Sequence, residues 1–445
     1  MSPPPFPLLP IPEGRELLQA PPLADYVQVL EEIRRAGGRP LLVGGSLRDL
    51  FLEGRLMGGD FDIEVQNIER EKLKNIVLAA GGLEFGKSFA VFGLGPLEIT
   101  LPRRERKTGP GHKGFEVEVD PFLPYPEASA RRDVTINSMG YDLWTGEVLD
   151  PHGGRVDLAA GVLRHTSHRF SEDPLRVLRV MQFAARFCFA VAPSTIELCR
   201  TLDLSELPRE RLWGEWKKLL LKGRRPSLGL RFLEKCGALR FFPELDLLTR
   251  TPQDPGWHPE GTVWEHTLLS MDAAAKLRTG REDFDLALML GVLCHDMGKP
   301  QTTYFDQDRG RVVSPRHEPE GVGPALSFLE RLTNEKKLLE VVPALVARHL
   351  TPHQLYKEKQ KGLDIRPALR RLALKVDPLL LERVARADHY GRRTDDALAE
   401  DFPAGDLFLE EVRALELEKK KPAPLVLGRH LLAEGVPPAR RWVPG

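Results

Sequence analysis

The sequence has no net charge, no cysteine pattern and no long apolar run, and each absence narrows what the chain can be. Lys plus Arg and Asp plus Glu both number 64, so the formal charge is zero. No global positive field draws the chain onto a polyanion, and contacts with nucleic acid must come from local basic patches. Arg103–Lys113, Arg209–Arg225 and Arg366–Arg371 qualify, although each alone also reads as a solvated helix face or loop. Cys188, Cys199, Cys236 and Cys294 stand far apart with no Cys-x-x-Cys pair, which argues against a zinc knuckle or a disulfide framework and fits a reducing cytoplasm. No stretch of about 18 apolar residues occurs, and the proline-rich start MSPPPFPLLPIPEGRE has neither a basic n-region nor an apolar core. A cytoplasmic protein that is neither exported nor membrane-spanning is expected. Internal repeats and low-complexity cores are absent too.

What is present is ample core material: 42% hydrophobic residues over 445 positions, enough for three or more structural units. Asp25 is placed to cap a helix running to about Arg35 and closed by Gly37-Gly38. Pro40–Val43 reads as a strand leading into Gly44-Gly45-Ser46 and a helical Leu47–Leu52. Asp60–Val65 alternates as a strand, and Phe89–Leu101 reads as a hairpin with Gly93 and Gly95 at its turn. From Ser171 to about Arg250 the pattern turns helical, with Pro174, Pro208 and Pro226 each at a helix start. The loop Thr251–Gly261 then leads to predicted helices at Val263–Leu277, Phe284–His295, Ala325–Leu332 and Leu338–His349. The fold class expected is α+β. Its organisation is a proline-rich arm (1–25), a mixed head (26–165), a helical neck (166–255), a separate helical domain (256–400), and a charged helix from Asp406 with a tail (401–445).

Within the head, period-two alternation projects Asp60 and Asp62 from one face of the predicted strand, where they can hold Mg²⁺. Alone, an Asp-x-Asp pair equally suits a solvated strand edge. Upstream, Gly44-Gly45-Ser46 at a helix start offers backbone N–H groups, a hydroxyl and the positive helix end to phosphate oxygens. Together the two elements suit in-line attack of a hydroxyl on an α-phosphate, with Asp60 and Asp62 as metal ligands and either one able to take the proton. In the neck, Asp173 and Arg176 lie three residues apart and so share a helix face. One only accepts and the other only donates, which matches the amine and bare ring nitrogen of cytosine or adenine and leaves guanine and uracil unmatched.

These residues sit in motifs that resemble a known family. LLVGGSLRDLFL with DFDIEV, ARRDVTINSMGYD, DPHGG…DL, LRHTS…FSEDPLRVLRVMQFAARF and ERLWGEWKKLL, in that order over most of residues 38–250, are similar to the bacterial tRNA nucleotidyltransferase and poly(A) polymerase family, the class II CCA-adding enzymes. The resemblance implies a polymerase-β-like head with helical neck and body, acting on the tRNA 3′ end with CTP and ATP. It implies that Gly44, Gly45, Ser46 and Arg48 form the triphosphate-binding turn and that Asp60 and Asp62 are the metal ligands. Arg131, Arg132 and Asp133 would hold the ribose and phosphates, Asp173 and Arg176 would be the amino-acid template, and Arg179 would contact a phosphate with Glu172 in support. Glu210, Arg211 and Glu215 would brace that helix, and Arg103–Phe115 occupies the position of the loop that complete enzymes use to switch from CTP to ATP. Pro126–Arg131 departs from the more acidic lead into the Arg-Arg-Asp motif seen in many members, which leaves A-only addition and poly(A) synthesis open beside complete or CC-only addition.

In the later helical region His266, His295-Asp296 and Asp388 form an H…HD…D pattern able to bind Mg²⁺, Mn²⁺, Ni²⁺ or Co²⁺. WEHTL, LCHDMGKP and RADHYGR, in that order, resemble the HD phosphohydrolase superfamily over residues 256–395. His317 and His349 add ligands of the kind found in its two-metal members, Lys299 is placed to steady a phosphate, and Cys294 reads as a packing residue. The implied activity is hydrolysis of phosphomonoesters or 2′,3′-cyclic phosphates. A degenerate domain serving as a tRNA-binding or dimerising body is the alternative, and a phosphohydrolase whose head merely binds RNA is the reading from a different class. No obligatory protein partner is evident from the sequence, and an oligomer is compatible with it.

Overall fold

The computed structural model describes residues 8–11, 14–21, 23–56, 59–85, 90–107 and 115–418. The chain forms two compact units, Met1–Asp246 and Leu247–Gly445. Of the sequence expectations, parts of the proline-rich arm, positions 108–114 of the segment expected to switch between nucleotides, and the C-terminal tail from position 419 lie outside the described residues.

The first unit is built on a mixed sheet. Its strands are β1 (Arg39–Val43), β2 (Phe61–Gln66), β3 (Leu83–Phe85), β4 (Val91–Leu94) and β5 (Leu97–Thr100). A separate ribbon pairs β6 (Arg103–Lys107) with β7 (Phe115–Val119), and β8 (Gly140–Asp142) with β9 (Val148–Leu149) completes the main sheet. The order is β3-β4-β5-β2-β1-β8-β9, and only β2 with β5 runs parallel. Buried Leu41, Leu42, Val43, Ile63 and Val65 show why β1 and β2 sit at the centre: they carry enough apolar surface to be covered by helices.

Local structure departs from the sequence reading at several points. Asp25 does not cap the helix Val27–Arg35; it lies in a short 3-10 turn, Leu23–Tyr26, and Tyr26 takes the N-cap position. The helix after β1 begins at Gly44 rather than Leu47, because the chain turns sharply straight out of the strand. Asp60 precedes β2 instead of lying on it: the ladder to β5 starts at Phe61. In the β4–β5 hairpin Gly95-Pro96 forms the turn, whereas Gly93 pairs within β4 opposite Glu98. The last described helix, Pro403–Ala414, starts three residues before Asp406 because proline fits the first helical turn.

The prolines of the neck fall where its helices start. Pro174 and Pro208 are the N-cap residues of Leu175–Phe187 and Arg209–Lys222, and Pro226 opens Pro226–Lys235. Leu175–Phe187 buries Val177, Leu178, Met181 and Ala184 between the other two helices, and Trp216 meets Phe242 edge-on at 5.2 Å.

The second unit is helical around Glu282–Cys294, of which Phe284 through Cys294 are all buried. A helix apolar on every side belongs in a core, and this one packs against Val263–Lys276, Lys336–Val346 and Pro378–Tyr390. Its C-terminus delivers His295 and Asp296 into the interior, at 1% and 2% exposure. Among the described residues no helix is long and apolar enough to cross a membrane.

Packing in the neck depends on Gly229. A Cβ there would stand 2.4 Å from the Met181 carbonyl oxygen and 3.0 Å from Leu219 Cδ1. Gly229→Ala gains about 1 kcal/mol of helix propensity but forces apart backbone that cannot yield, at a cost of about 1–3 kcal/mol or more. We expect a net loss of stability in urea unfolding of the full chain, and a midpoint at or above wild type would contradict the close approach.

Candidate functional site

The first site lies where the head sheet meets the neck. Gly44 leaves β1 with φ +69°, and a Cβ on it would stand 2.6 Å from Asp62 Oδ2 and 3.1 Å from Arg132 Nη1. The turn and the second aspartate are therefore in near contact. Ser46 Oγ bridges the backbone of the acidic motif, donating to the Asp60 carbonyl and accepting from the Asp62 amide, both at 3.4 Å. Burial, reinforced by the charge of Asp60, pushes the Asp62 carboxyl up from its ordinary range against the opposing pull of Arg132, Arg48 and Arg179. Glu98 stands in register with Asp62 on the parallel neighbour β5. Partial burial and the charges of Asp62 and Asp60 push its carboxyl up as well.

A buried network carries this site into the neck. Arg48, at 4% exposure, donates from Nη1 to Asn137 Oδ1 at 2.6 Å, pairs with Asp49 and lies over the Phe187 ring. Asn137 Nδ2 donates to Asp133 Oδ1 at 3.0 Å, and Arg179 Nε donates to Asp133 Oδ2 at 2.6 Å. Burial alone would raise Asp133, but Arg179 and Asn137 hold its carboxyl below the usual range. Arg132 reaches Glu64 at 3.3 Å. Asp173 and Arg176 are each held by neighbours: Arg176 donates to the carbonyls of Arg169 and Arg131, and Asp173 Oδ2 accepts from Arg211 at 2.8 Å. Glu215 lies 3.8 Å from Arg179 and 2.8 Å from Lys218.

The structure thus gathers Gly44, Gly45, Ser46, Arg48, Asp62, Arg132, Asp133 and Arg179 into one connected region and fastens Arg176 to Arg131. Glu64, Glu98 and Asn137 were not singled out from sequence. Asn137 carried a readable signal, since it follows Asp133 by four residues. Glu98 carried none, because its place depends on a parallel crossover.

The second site is a knot of histidines and aspartates in the helical unit. His295, His317 and His349 direct Nδ1 to the backbone carbonyls of Val292, Ser314 and Val346 at 2.6, 2.8 and 2.8 Å. A carbonyl only accepts, so each Nδ1 is a protonated nitrogen, and in the neutral ring each Nε2 keeps a lone pair. Those lone pairs converge: His317 and His349 Nε2 stand 3.3 Å apart, His295 Nε2 is 3.2 Å from Asp296 Oδ2, and His317 Nε2 is 3.4 Å from Asp296 Oδ1. His266 Nε2 faces Asp388 Oδ1 at 2.9 Å. Burial, then the charges of His295 and His317, push His349 down to about 3. Asp296 and Asp388 are held well below the carboxylate range despite burial, through the neighbouring His295 and Arg392 respectively.

Neither His295 Nε2 nor either Asp296 oxygen has a well-directed hydrogen bond, although Lys299 Nζ forms an ion pair with Asp296 at 2.7 Å and also donates to Gln253. Buried acceptors facing acceptors are what a divalent cation requires. Two ligand groups fit one, His266–His295–Asp296 and Asp296–His317–His349, and they share Asp296. Glu260 and His258, which the sequence reading left out, join His266 in a third such group. Cys294 is fully buried beside them.

A carboxylate pair against a Gly-Gly-Ser turn, and a buried His/Asp centre in a helical unit, define the class: a nucleotidyltransferase head coupled in one chain to an HD domain. Residues 41–164 match the poly A polymerase head domain, residues 188–248 the probable RNA and SrmB-binding site of polymerase A, and residues 263–393 the HD domain. A multifunctional CCA protein of Halorhodospira halophila is 37% identical over 82% of this chain and 86% of its own length. The CCA-adding enzyme of Bacillus stearothermophilus in complex with CTP shares the fold, with TM-score 0.57 and 20% identity over 95% of this chain and 90% of its own. So does the Thermotoga maritima CCA-adding enzyme complexed with tRNA, with TM-score 0.57 and 18% identity over 97% and 92%. The chain belongs to the class II CCA-adding enzyme and poly(A) polymerase family, with an HD domain as in the multifunctional CCA proteins.

Gly44→Ala should displace the Asp62 carboxylate, since both the positive φ and the 2.6 Å approach oppose a side chain. Nucleotide incorporation is expected to fall on the order of 100-fold. Gly214→Ala, whose Cβ meets nothing within 4 Å, should leave it unchanged. Equal rates for Gly44→Ala and wild type would contradict the contact.

Proposed function

We propose that this chain adds CMP and AMP to tRNA 3′ ends without a template, and that its helical unit is a metal-dependent phosphohydrolase for phosphomonoesters or 2′,3′-cyclic phosphates. The observation that carries the first part is the approach of the Gly44 turn to Asp62 in the unit that also ties Arg176 to Arg131. The relative from H. halophila bears the name of a CCA protein, and the T. maritima fold neighbour is complexed with tRNA, which supports the same substrates here.

In the head the tRNA 3′-hydroxyl attacks the α-phosphate of CTP or ATP. The new bond joins O3′ to the α-phosphorus, the α-phosphorus to bridging-oxygen bond breaks, and pyrophosphate leaves. Either Asp60 or Asp62 can accept the hydroxyl proton, and burial, with the charge of Asp60, pushes the Asp62 carboxyl up. Gly44, Gly45 and Ser46 supply donors to the triphosphate, and Arg131, Arg132 and Asp133 bear on the ribose and phosphates. Bound Mg²⁺ would neutralise the carboxylate pair and polarise the phosphate.

Asp173 and Arg176 read the base. Arg176 has five N–H groups and spends two on carbonyls, and each Asp173 oxygen retains a lone pair beyond its bonds from Leu175 N and Arg211. The pair is pre-oriented yet able to meet an amine and a ring nitrogen. Guanine and uracil leave both unpaired, at about 1–3 kcal/mol each.

In the helical unit His266, His295, Asp296 and Asp388 would hold one divalent ion, with His317 and His349 holding a second through shared Asp296. Mg²⁺, Mn²⁺, Ni²⁺ and Co²⁺ all suit these donors and would supply a Lewis acid and a more acidic water.

With CTP alone, transcripts ending before the tail or after C should grow to CC; with ATP alone, only the transcript ending after CC should gain a single A; with both nucleotides all three should grow to CCA and stop. Growth only from the CC end, or unlimited A addition, would replace this reading with an A-only enzyme or a poly(A) polymerase. Arg176→Ala should erode discrimination against GTP and UTP by about 10–100-fold, whereas an unchanged nucleotide choice with a lower rate would sink the template role. Opening of a 2′,3′-cyclic nucleotide to its 2′- or 3′-monophosphate should disappear on chelation and in His295→Ala while CMP incorporation by His295→Ala persists; ring opening that survives the substitution removes the assigned centre.

A further inference from the structure

The four inward-facing histidines of the helical unit are not held alike. His295, His317 and His349 rest their Nδ1–H groups on neutral backbone carbonyls, but His266 Nδ1 donates to a carboxylate, Glu260 Oε1, at 2.8 Å. The same oxygen accepts from His258 Nδ1 at 2.8 Å, and Oε2 accepts from the Arg393 amide at 3.2 Å. The Glu260 side chain is 2% exposed and that of His266 is fully buried, so water does not compete for these bonds. Two imidazole Nδ1 atoms and one backbone amide thus converge on the Glu260 carboxylate, which has only acceptor oxygens to offer them.

We propose that Glu260 is a positioning residue of the HD metal centre: it accepts the Nδ1–H of His266, aims Nε2 at Asp388 Oδ1, 2.9 Å away, and makes that nitrogen a stronger donor to a metal that takes the place of its proton. A charged acceptor polarises the imidazole more than a carbonyl does, and such outer partners commonly change metal affinity by about 10–100-fold. Glu260 reaches the site from the loop ahead of Val263–Lys276, where Gly261, at φ +115°, and Thr262, whose hydroxyl caps the helix, turn the chain inward. Its second histidine, His258, packs edge-on against His266 with ring centroids 4.7 Å apart, so one carboxylate orders both rings. The inference rests on the reading of the His/Asp knot as a metal centre.

The test is calorimetric titration of Ni²⁺ into the full chain carrying Asp62→Asn, which removes the head carboxylate from the count. Asp388→Asn should abolish the high-affinity site, and Glu260→Ala should weaken it by about 10–100-fold. Glu260→Gln, which can still accept one Nδ1–H but carries no charge, should fall between wild type and Glu260→Ala while keeping the wild-type circular dichroism, a graded response that a merely structural role would not give. Wild-type affinity in Glu260→Ala or Glu260→Gln, with loss in Asp388→Asn, overturns the role of Glu260 alone. If the parent chain takes up no Ni²⁺, the metal centre fails and Glu260 with it.

Discussion

The near contact of Gly44 with the Asp62 carboxylate constrains the head. A strand can hand the chain directly to a helix beside a buried acidic group only if the first residue of the turn has no Cβ and accepts a positive φ. With that residue in place, the helix N-terminus, the Ser46 hydroxyl and the two aspartates are drawn into one crease. Burial, then the charges of neighbouring carboxylates, raises Asp62 and Glu98. The crease is therefore primed for positive charge, and this follows from sterics before any ligand is considered.

The helical unit meets a related constraint by other means. Three backbone carbonyls and one carboxylate take the outward nitrogens of four histidines, so their remaining lone pairs point inward at two aspartates. Here the cost of the arrangement is electrostatic rather than steric, because buried acceptors face buried acceptors.

Much of this was legible in the sequence because local rules carry it. The prolines at 174, 208 and 226 mark helix starts through their fixed φ, the all-apolar run before His295 marks a core helix, and the Gly-Gly-Ser turn sits where a strand ends. What stayed hidden depends on register or on long-range packing. Asp60 reads as strand by alternation, yet the β5 ladder begins one residue later. Glu98 looks like any hairpin residue until the parallel pairing of β2 with β5 sets it beside Asp62. Glu260 lies in a Pro/Gly-rich loop that reads as a boundary, and only the closure of the helical unit brings it to His266. The sequence motif proposed for the ribose, Arg131-Arg132-Asp133, likewise gave no hint that Asp133 would be claimed by an arginine 46 residues away.

The chain of contacts from Arg48 through Asn137 and Asp133 to Arg179 has a mechanical meaning. Arg179 sits one turn beyond Arg176 on the same helix, and its guanidinium is clasped by Asp133 on the head side and approached by Glu215 on the neck side. A helix pinned in this way cannot slide along its axis without breaking an ion pair whose carboxylate is buried. On the base-reading role proposed for Asp173 and Arg176, any change of preference between successive additions has to be made by rotating the torsions of a few side chains, over a backbone that stays where it is.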